Sequence, residues 1–294
     1  MIRNNRLRQG ILLGGLVLGL SAAGCNKKDT PAPPNAGPPV LAIEPVRAGD
    51  PNPAPQTGSP MSFEQSFNEA VITEVLEGYH LPPDVTIGGK KTGPMRVAVE
   101  EQWSSIKLLD SNSKLIAHTV KLETSEGDVE IAIRSDLAPN HARNFLALAK
   151  LGFYEGLQFE RNCHQEANLD GQKTRLDLLI GGCPTGTGDD GYGHIGYFVR
   201  AEFRQDVKHQ EGTVGFWHEE DPDSAGCRFY ITLGPAPVLD GRYTVIGQVS
   251  SGLEVLKRIA AQPVKNADSS SPDNEKPVQP VAIKKTSIAS DTPK

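Results

Sequence analysis

The sequence has no excess of positive charge. Thirty Lys and Arg stand against 36 Asp and Glu, a formal charge of −6. A nucleic-acid surface needs a basic footprint, so nucleic acid is excluded as the main partner. No stretch repeats at a period of about 20–50 residues, which excludes solenoids and propellers. The apolar run near the N-terminus is about 13 residues, and at ~1.5 Å per residue it cannot cross ~30 Å of hydrocarbon. The seven histidines show no paired ligand spacing, so no metal centre is expected. Hydrophobic content is modest at 37%, with 23 prolines and 30 glycines. That mixture fits a turn-rich globular domain joined to some disordered chain.

What is present begins with an export signal. Arg3, Arg6 and Arg8 form a positive n-region, Ile11–Leu20 is apolar, and Ser21-Ala22-Ala23-Gly24 leads into Cys25. Small residues followed at once by cysteine resemble the bacterial lipoprotein lipobox, although Ala22 stands where leucine is usual. The resemblance implies cleavage before Cys25, lipid attachment to its thiol, and a membrane-anchored protein outside the cytoplasm. Removing three arginines leaves the mature chain still more acidic.

Residues 25–61 then form a tether. Ten prolines lie between 26 and 61, too little apolar surface to offset the entropy of ordering. Residues 62–118 read as a helical extension. Phe63, Phe67, Ala70, Val71 and Val75 recur at helical spacing, as do Val99, Trp103 and Ile106. Leu81-Pro82-Pro83-Asp84 and Gly88-Gly89 break the helix between them.

From 119 the period falls to two. Residues 119–124 and 129–133 alternate around Glu126-Gly127-Asp128, a hairpin. Pro139 opens a helix with Ala142, Phe145, Leu146 and Ala149 on one face. Strands are expected near 176–181, 212–217, 228–233 and 243–249, and a helix near 251–261. Val281, Ile283 and Ile288 mark a closing strand. The expected fold is mostly β, with a domain over 119–289 and a tail at 290–294.

Five blocks identify the family that this domain resembles. They are Ala138-Pro139-Asn140-His141-Ala142-Arg143-Asn144-Phe145, Phe153-Tyr154-Glu155-Gly156-Leu157-Gln158-Phe159-Glu160-Arg161, Gly181-Gly182-Cys183-Pro184-Thr185-Gly186-Thr187-Gly188, Asp221 to Thr232, and Leu239-Asp240-Gly241-Arg242-Tyr243-Thr244-Val245. In this order they resemble cyclophilin-type peptidyl-prolyl cis/trans isomerases. The resemblance implies an eight-stranded antiparallel β-barrel capped by two α-helices, acting on proline-containing polypeptides and expected as a monomer. Turning an X–Pro amide breaks no bond, so no nucleophile, metal or cofactor is needed.

By the same resemblance Arg161 is the catalytic arginine. Tyr230, Leu239, Tyr243 and Leu178 fall at substrate-pocket positions, with Trp217, His218 and Arg228 beside them. Departures accompany these matches. Ile180 stands where a glutamine usually orients the arginine, and Arg228 replaces a second glutamine. Trp217 replaces a small alanine, Asp177 an apolar residue and Val238 a large aromatic. About eleven extra residues lie near 163–176. The family topology also places Cys183 and Cys227 at neighbouring strand ends, the favoured disulfide pair in an oxidising compartment.

Three other signals carry less. Gly186–Gly191 fits G-x-G-x-x-G, but no helix follows and two aspartates would repel a pyrophosphate. Glu219–Asp223 lacks the spacing of a calcium loop, and Cys163-His164 adjacency is not nucleophile geometry. The functions left open are a foldase outside the cytoplasm, a non-catalytic proline-peptide module, and an envelope scaffold.

Overall fold

The computed structural model describes residues 63, 65–169, 171–265 and 275–291. The leader, Cys25 and the proline-rich tether lie outside them. Among the described residues no helix is long and apolar enough to cross a membrane.

Phe67 and Ala70 are buried on a single helical turn, Phe67–Ala70 (α1). Glu69 accepts from the Ser66 N–H at 2.8 Å, which satisfies a donor at the helix start. The β-branched pair Val71–Ile72 (β1) then favours extended backbone. It pairs antiparallel with Phe198–Val199. The helix expected to run through Val75 therefore stops early, and Val75 is exposed. Thr92–Gln102 (α2) carries Pro94 in its first turn and ends in a 3₁₀ turn at Trp103–Ser105.

The extension is not a separate body. Phe67, Ala70, Val71, Val99 and Trp103 belong to the same apolar cluster as the barrel interior. The Trp103 indole N–H donates to the Gln65 carbonyl at 2.9 Å, and the Arg143 guanidinium lies 5.5 Å over its ring. Gly88 and Gly156 approach so closely that a Cβ on Gly156 would sit 2.7 Å from the Gly88 Cα.

Alternating burial sets the first barrel hairpin, Ala117–Thr124 (β2) and Asp128–Ile133 (β3). Pro139–Lys150 (α3) begins with proline at a permitted position. Phe159–Leu169 (β4) and Gln172–Gly181 (β5) form one long hairpin, paired out to Leu169 and Gln172. The extra residues near 163–176 thus lengthen two strands instead of making a loop. Phe198–Val199 (β6), Thr213–Phe216 (β7), Phe229–Thr232 (β8) and Val245–Ser251 (β9) follow. Leu253–Ala260 (α4) starts after Gly252, whose φ of 86° suits glycine. Ile283–Asp291 (β10) closes the sheet, so the strand runs into the expected tail.

The strand order is β10-β2-β3-β9-β7-β8-β5-β4. The two edges meet: Phe159 N–H donates to Val281 O at 3.0 Å and Ile283 N–H to Leu157 O at 2.8 Å. These bonds join the two edges at one end of the strands, beside the bridge of Gln158 with Ala282. The interior holds Val120, Leu122, Ile131, Phe145, Leu179, Val214, Phe229 and Ile231. Nearly all of α3 is buried, including Asn140, His141, Arg143 and Asn144. The polar ones are bonded: His141 Nδ1 lies 2.8 Å from Glu202 Oε2, and Asn144 Nδ2 donates to Gly226 O at 2.8 Å.

Candidate active site

Strands β5 and β8 bury both faces. Leu179, Phe229 and Ile231 face the barrel interior. Leu178, Ile180 and Tyr230, alternating with them, join a second apolar cluster with Cys163, Leu176, Trp217, Ala236, Val238 and Leu239, against which Tyr243 packs.

A β-bulge delivers Arg161 to that second face. Phe159 pairs with Gly181, whereas Arg161 pairs with Ile180, two steps on β4 for one on β5. Residues i and i+2 of a regular strand share a face, so Arg161 would otherwise follow Phe159 inward. The extra residue, Glu160, reverses this. Arg161, Cys163 and Gln165 then line one face of β4 in regular alternation. Arg161 keeps 11% of its side chain exposed, and its Nη1 lies 3.8 Å from Glu275 Oε2. Its Nε has no hydrogen-bond partner among the described residues.

Tyr230 forms the floor of the second cluster and is fully buried. Its hydroxyl lies 2.7 Å from His209 Nε2, and His209 Nδ1 lies 2.9 Å from Asp240 Oδ1. Burial pushes the His209 pKa down, against the pull of Asp240. The neutral tautomer that donates to Asp240 and accepts from Tyr230 satisfies both contacts. A Cβ on Gly215, opposite Tyr230 in the register, would collide with the Tyr230 hydroxyl. Glycine there makes room for the oxygen.

Trp217 and Tyr243 lie 5.6 Å apart. His218 stacks on Tyr243 at 4.1 Å, and its ring nitrogens meet the carbonyls of Glu219 and Arg242 at 2.7 and 2.8 Å. Burial pushes the His218 pKa down, while those carbonyls pull it up. Burial also pushes the Tyr243 pKa up to about 12, so its phenol stays neutral.

The structure thus gathers Arg161, Leu178, Trp217, Tyr230, Leu239 and Tyr243 on one face, with His218 stacked against Tyr243. It corrects two expectations. Arg228, expected at the substrate, is fully buried. Its Nε donates to Glu160 Oε1 at 3.1 Å and its Nη2 to Gly188 O at 3.2 Å, with the guanidinium 5.8 Å from the centre of the Trp217 ring. Burial pulls the Arg228 pKa down, but Glu160, Cys183 and Glu219 together more than reverse it, so Arg228 stays charged. Burial pushes the Glu160 carboxyl up while Arg228 opposes it. Second, the Cys183–Cys227 disulfide is absent: Cys163, Cys183 and Cys227 are all free thiols. Cys227 donates to Gly193 O at 3.2 Å, and Cys183 Sγ lies 3.1 Å from Thr185 Oγ1. Each sulfur is directed at its own oxygen.

His209, Gly215, Glu160 and Glu275 were not singled out from the sequence. Glu160 lies inside a recognised block, where its charge beside Arg161 was a usable signal. Among the described residues no cluster of His, Cys, Asp and Glu could hold a metal ion.

Residues 119–288 match the family described as cyclophilin type peptidyl-prolyl cis-trans isomerase/CLD. "Peptidyl-prolyl cis-trans isomerase CYP18-2" of Arabidopsis thaliana is 32% identical over 170 residues, 58% of this chain and 92% of the relative. "Peptidyl-prolyl cis-trans isomerase ppi1" of Schizosaccharomyces pombe is 35% identical over 165 residues, 56% of this chain and 94% of the relative. A crystal structure of a Cryptosporidium parvum cyclophilin type peptidyl-prolyl cis-trans isomerase superposes with a TM-score of 0.50 at 25% identity, covering 60% of this chain and 99% of that one. With five blocks in order, a closed eight-stranded barrel and this match over more than half its length, the chain belongs to the cyclophilin-type peptidyl-prolyl cis/trans isomerase family.

Proposed function

We propose that this isomerase turns X–Pro bonds with Arg161 as its catalytic cation and the Tyr230–Leu239 cluster as its proline site. The observation that carries the reading is the bulge-directed Arg161, which keeps 11% of its side chain exposed, on the face shared with Tyr230. Rotation about the bond crosses ~18–20 kcal/mol. Only interactions stronger in the twisted state than in either planar form lower that barrier. On twisting, the amide nitrogen regains lone-pair character, and a guanidinium N–H aimed at it stabilises that state selectively. Partial burial strengthens the interaction. A thousandfold acceleration needs about 4 kcal/mol.

The test is NMR exchange spectroscopy on an Xaa-Pro peptide with the full chain. Wild type accelerates exchange, and Arg161→Ala removes most of the acceleration. Arg161→Lys also loses much of it, because an ammonium lacks the planar fork. Unchanged exchange in Arg161→Ala would refute the assignment. The apolar Ile180 directly across from Arg161 favours a second reading, a module that only binds proline peptides. Peptide resonances that shift without any exchange would select it.

The proposed place of action is outside the cytoplasm, at a membrane, through acylated Cys25. The support is the n-region, the short apolar run and the small residues before Cys25. Wild type should label with radioactive palmitate in a bacterial host, and Cys25→Ser should not. A labelled Cys25→Ser chain would sink the anchor.

A further inference from the structure

We infer that Glu275 is the positioning residue of Arg161, replacing from a distant segment the polar contact that Ile180 cannot give. The inference rests on the reading of Arg161 as the catalytic cation. Ile180, directly across from Arg161 on β5, has no polar atom. The nearby carboxylates are committed elsewhere: Glu160 pairs with Arg228, Asp177 with His164 and Arg175, and Asp189 with Lys276. Among the described residues, Glu275 is the one carboxylate paired with Arg161.

Glu275 is held as a fixed group would be. Its side chain is only 9% exposed, so solvent and salt screen the pair weakly. Gln165 Nε2 donates to its Oε1, and the buried Cys163 thiol lies beside it. Arg161, Cys163 and Gln165 are the alternate residues on one face of β4, so the carboxylate sits along that row. The backbone behind Glu275 is pinned to the end of α4: Lys265 N–H donates to Lys276 O at 2.7 Å and Val278 N–H to Pro263 O at 2.8 Å. Lys276 Nζ lies 2.6 Å from Asp189 Oδ1.

The geometry also leaves the arginine usable. At 3.8 Å the pair is electrostatic and lies beyond hydrogen-bond distance, and it engages Nη1 while Nε has no partner among the described residues. Glu275 therefore restrains the guanidinium by its charge without taking a hydrogen bond from it.

The test measures kcat and KM of the full chain on an Xaa-Pro peptide by NMR exchange. Glu275→Gln keeps the acceptor for Gln165 and removes the charge, and Glu275→Ala removes both. Both should lower kcat by about 10- to 100-fold with KM nearly unchanged, the cost of a misaligned catalytic group. Adding Ile180→Gln to Glu275→Ala should recover much of the lost kcat, a rescue that a merely structural glutamate would not allow. If Glu275→Ala does not fold, the nearly isosteric Glu275→Gln carries the test. Wild-type kcat in both Glu275 variants, or a loss confined to KM, would overturn the inference while an inactive Arg161→Ala leaves the parent reading intact. Full exchange in Arg161→Ala would instead overturn that parent reading.

Discussion

At the scale of single residues, the site rests on a buried ion pair beneath it. Glu160 and Arg228 are each about fully buried, and removing one partner strands a charge, a loss of about 3–5 kcal/mol. Glu160→Ala should show that loss in urea unfolding, and Glu160→Ala combined with Arg228→Met should recover most of it. Equal losses in the single and double variants would show that the pair is not what holds this region. Above the pair, Trp217 fills space in the pocket cluster. Trp217→Ala should cost about 3–5 kcal/mol in stability, yet raise kcat/KM for peptides with bulky residues before proline. A uniform fall for small and bulky peptides alike would mean that the indole supports the pocket instead of restricting it. Much of this site was legible in the sequence. Arg161, Tyr230, Leu239 and Tyr243 sit inside contiguous blocks, and the loss of the usual glutamine at Ile180 was readable. The bulge was not, because an extra residue leaves no trace in a run whose members are all buried. Glu275 was not, because nothing local to a Pro- and Ser-rich stretch marks a side chain that folds back onto a distant strand.

At the scale of elements, the extension behaves as part of the barrel. It covers α3, where Gln65 meets Asn140, and Ile106 and Trp103 meet Arg143. Trp103→Ala removes a buried indole and its bond to Gln65, a loss of about 3–5 kcal/mol. Intrinsic tryptophan fluorescence of Trp217 and far-UV circular dichroism should still report one shared transition in that variant. Two separated transitions would show that the extension folds independently. The sequence showed the amphipathic pattern of the extension but misread its first half as a helix. The β-branched residues Val71 and Ile72 find a strand partner in 198–199, and that pairing overrides periodicity. The long β4–β5 hairpin was missed for a related reason: its outer half is polar and alternates weakly, so it reads as insertion.

At the scale of the whole molecule, His194 joins the extension to the barrel. Its Nε2 donates to His80 O at 2.8 Å, and its Nδ1 accepts from Gly196 N–H at 3.1 Å. The bond from Gly196 holds only while the ring is neutral, because a protonated Nδ1 cannot accept. Burial keeps its pKa below 6.5, against two backbone contacts that raise it, and burial acts in the same direction at His118 and His209. For such groups the unfolded chain binds more protons below about pH 6.5. Their contribution is therefore present above that pH and lost as pH falls through the folded-state values. The raised carboxyls of Glu160 and Glu219 act in the opposite sense. The midpoint of thermal unfolding should fall between about pH 7.5 and 5.5, with His194 ring resonances still neutral near pH 6. A flat or rising midpoint would refute the expectation. The pairing of β2 with β10 has a different consequence. Residue 117 lies against residue 291, so the strand that emerges first waits for the strand that emerges last. A chain threaded through a narrow pore from its N-terminus cannot complete this sheet until residue 291 has passed, and the outer edge of β2 must stay soluble and unpaired in the meantime.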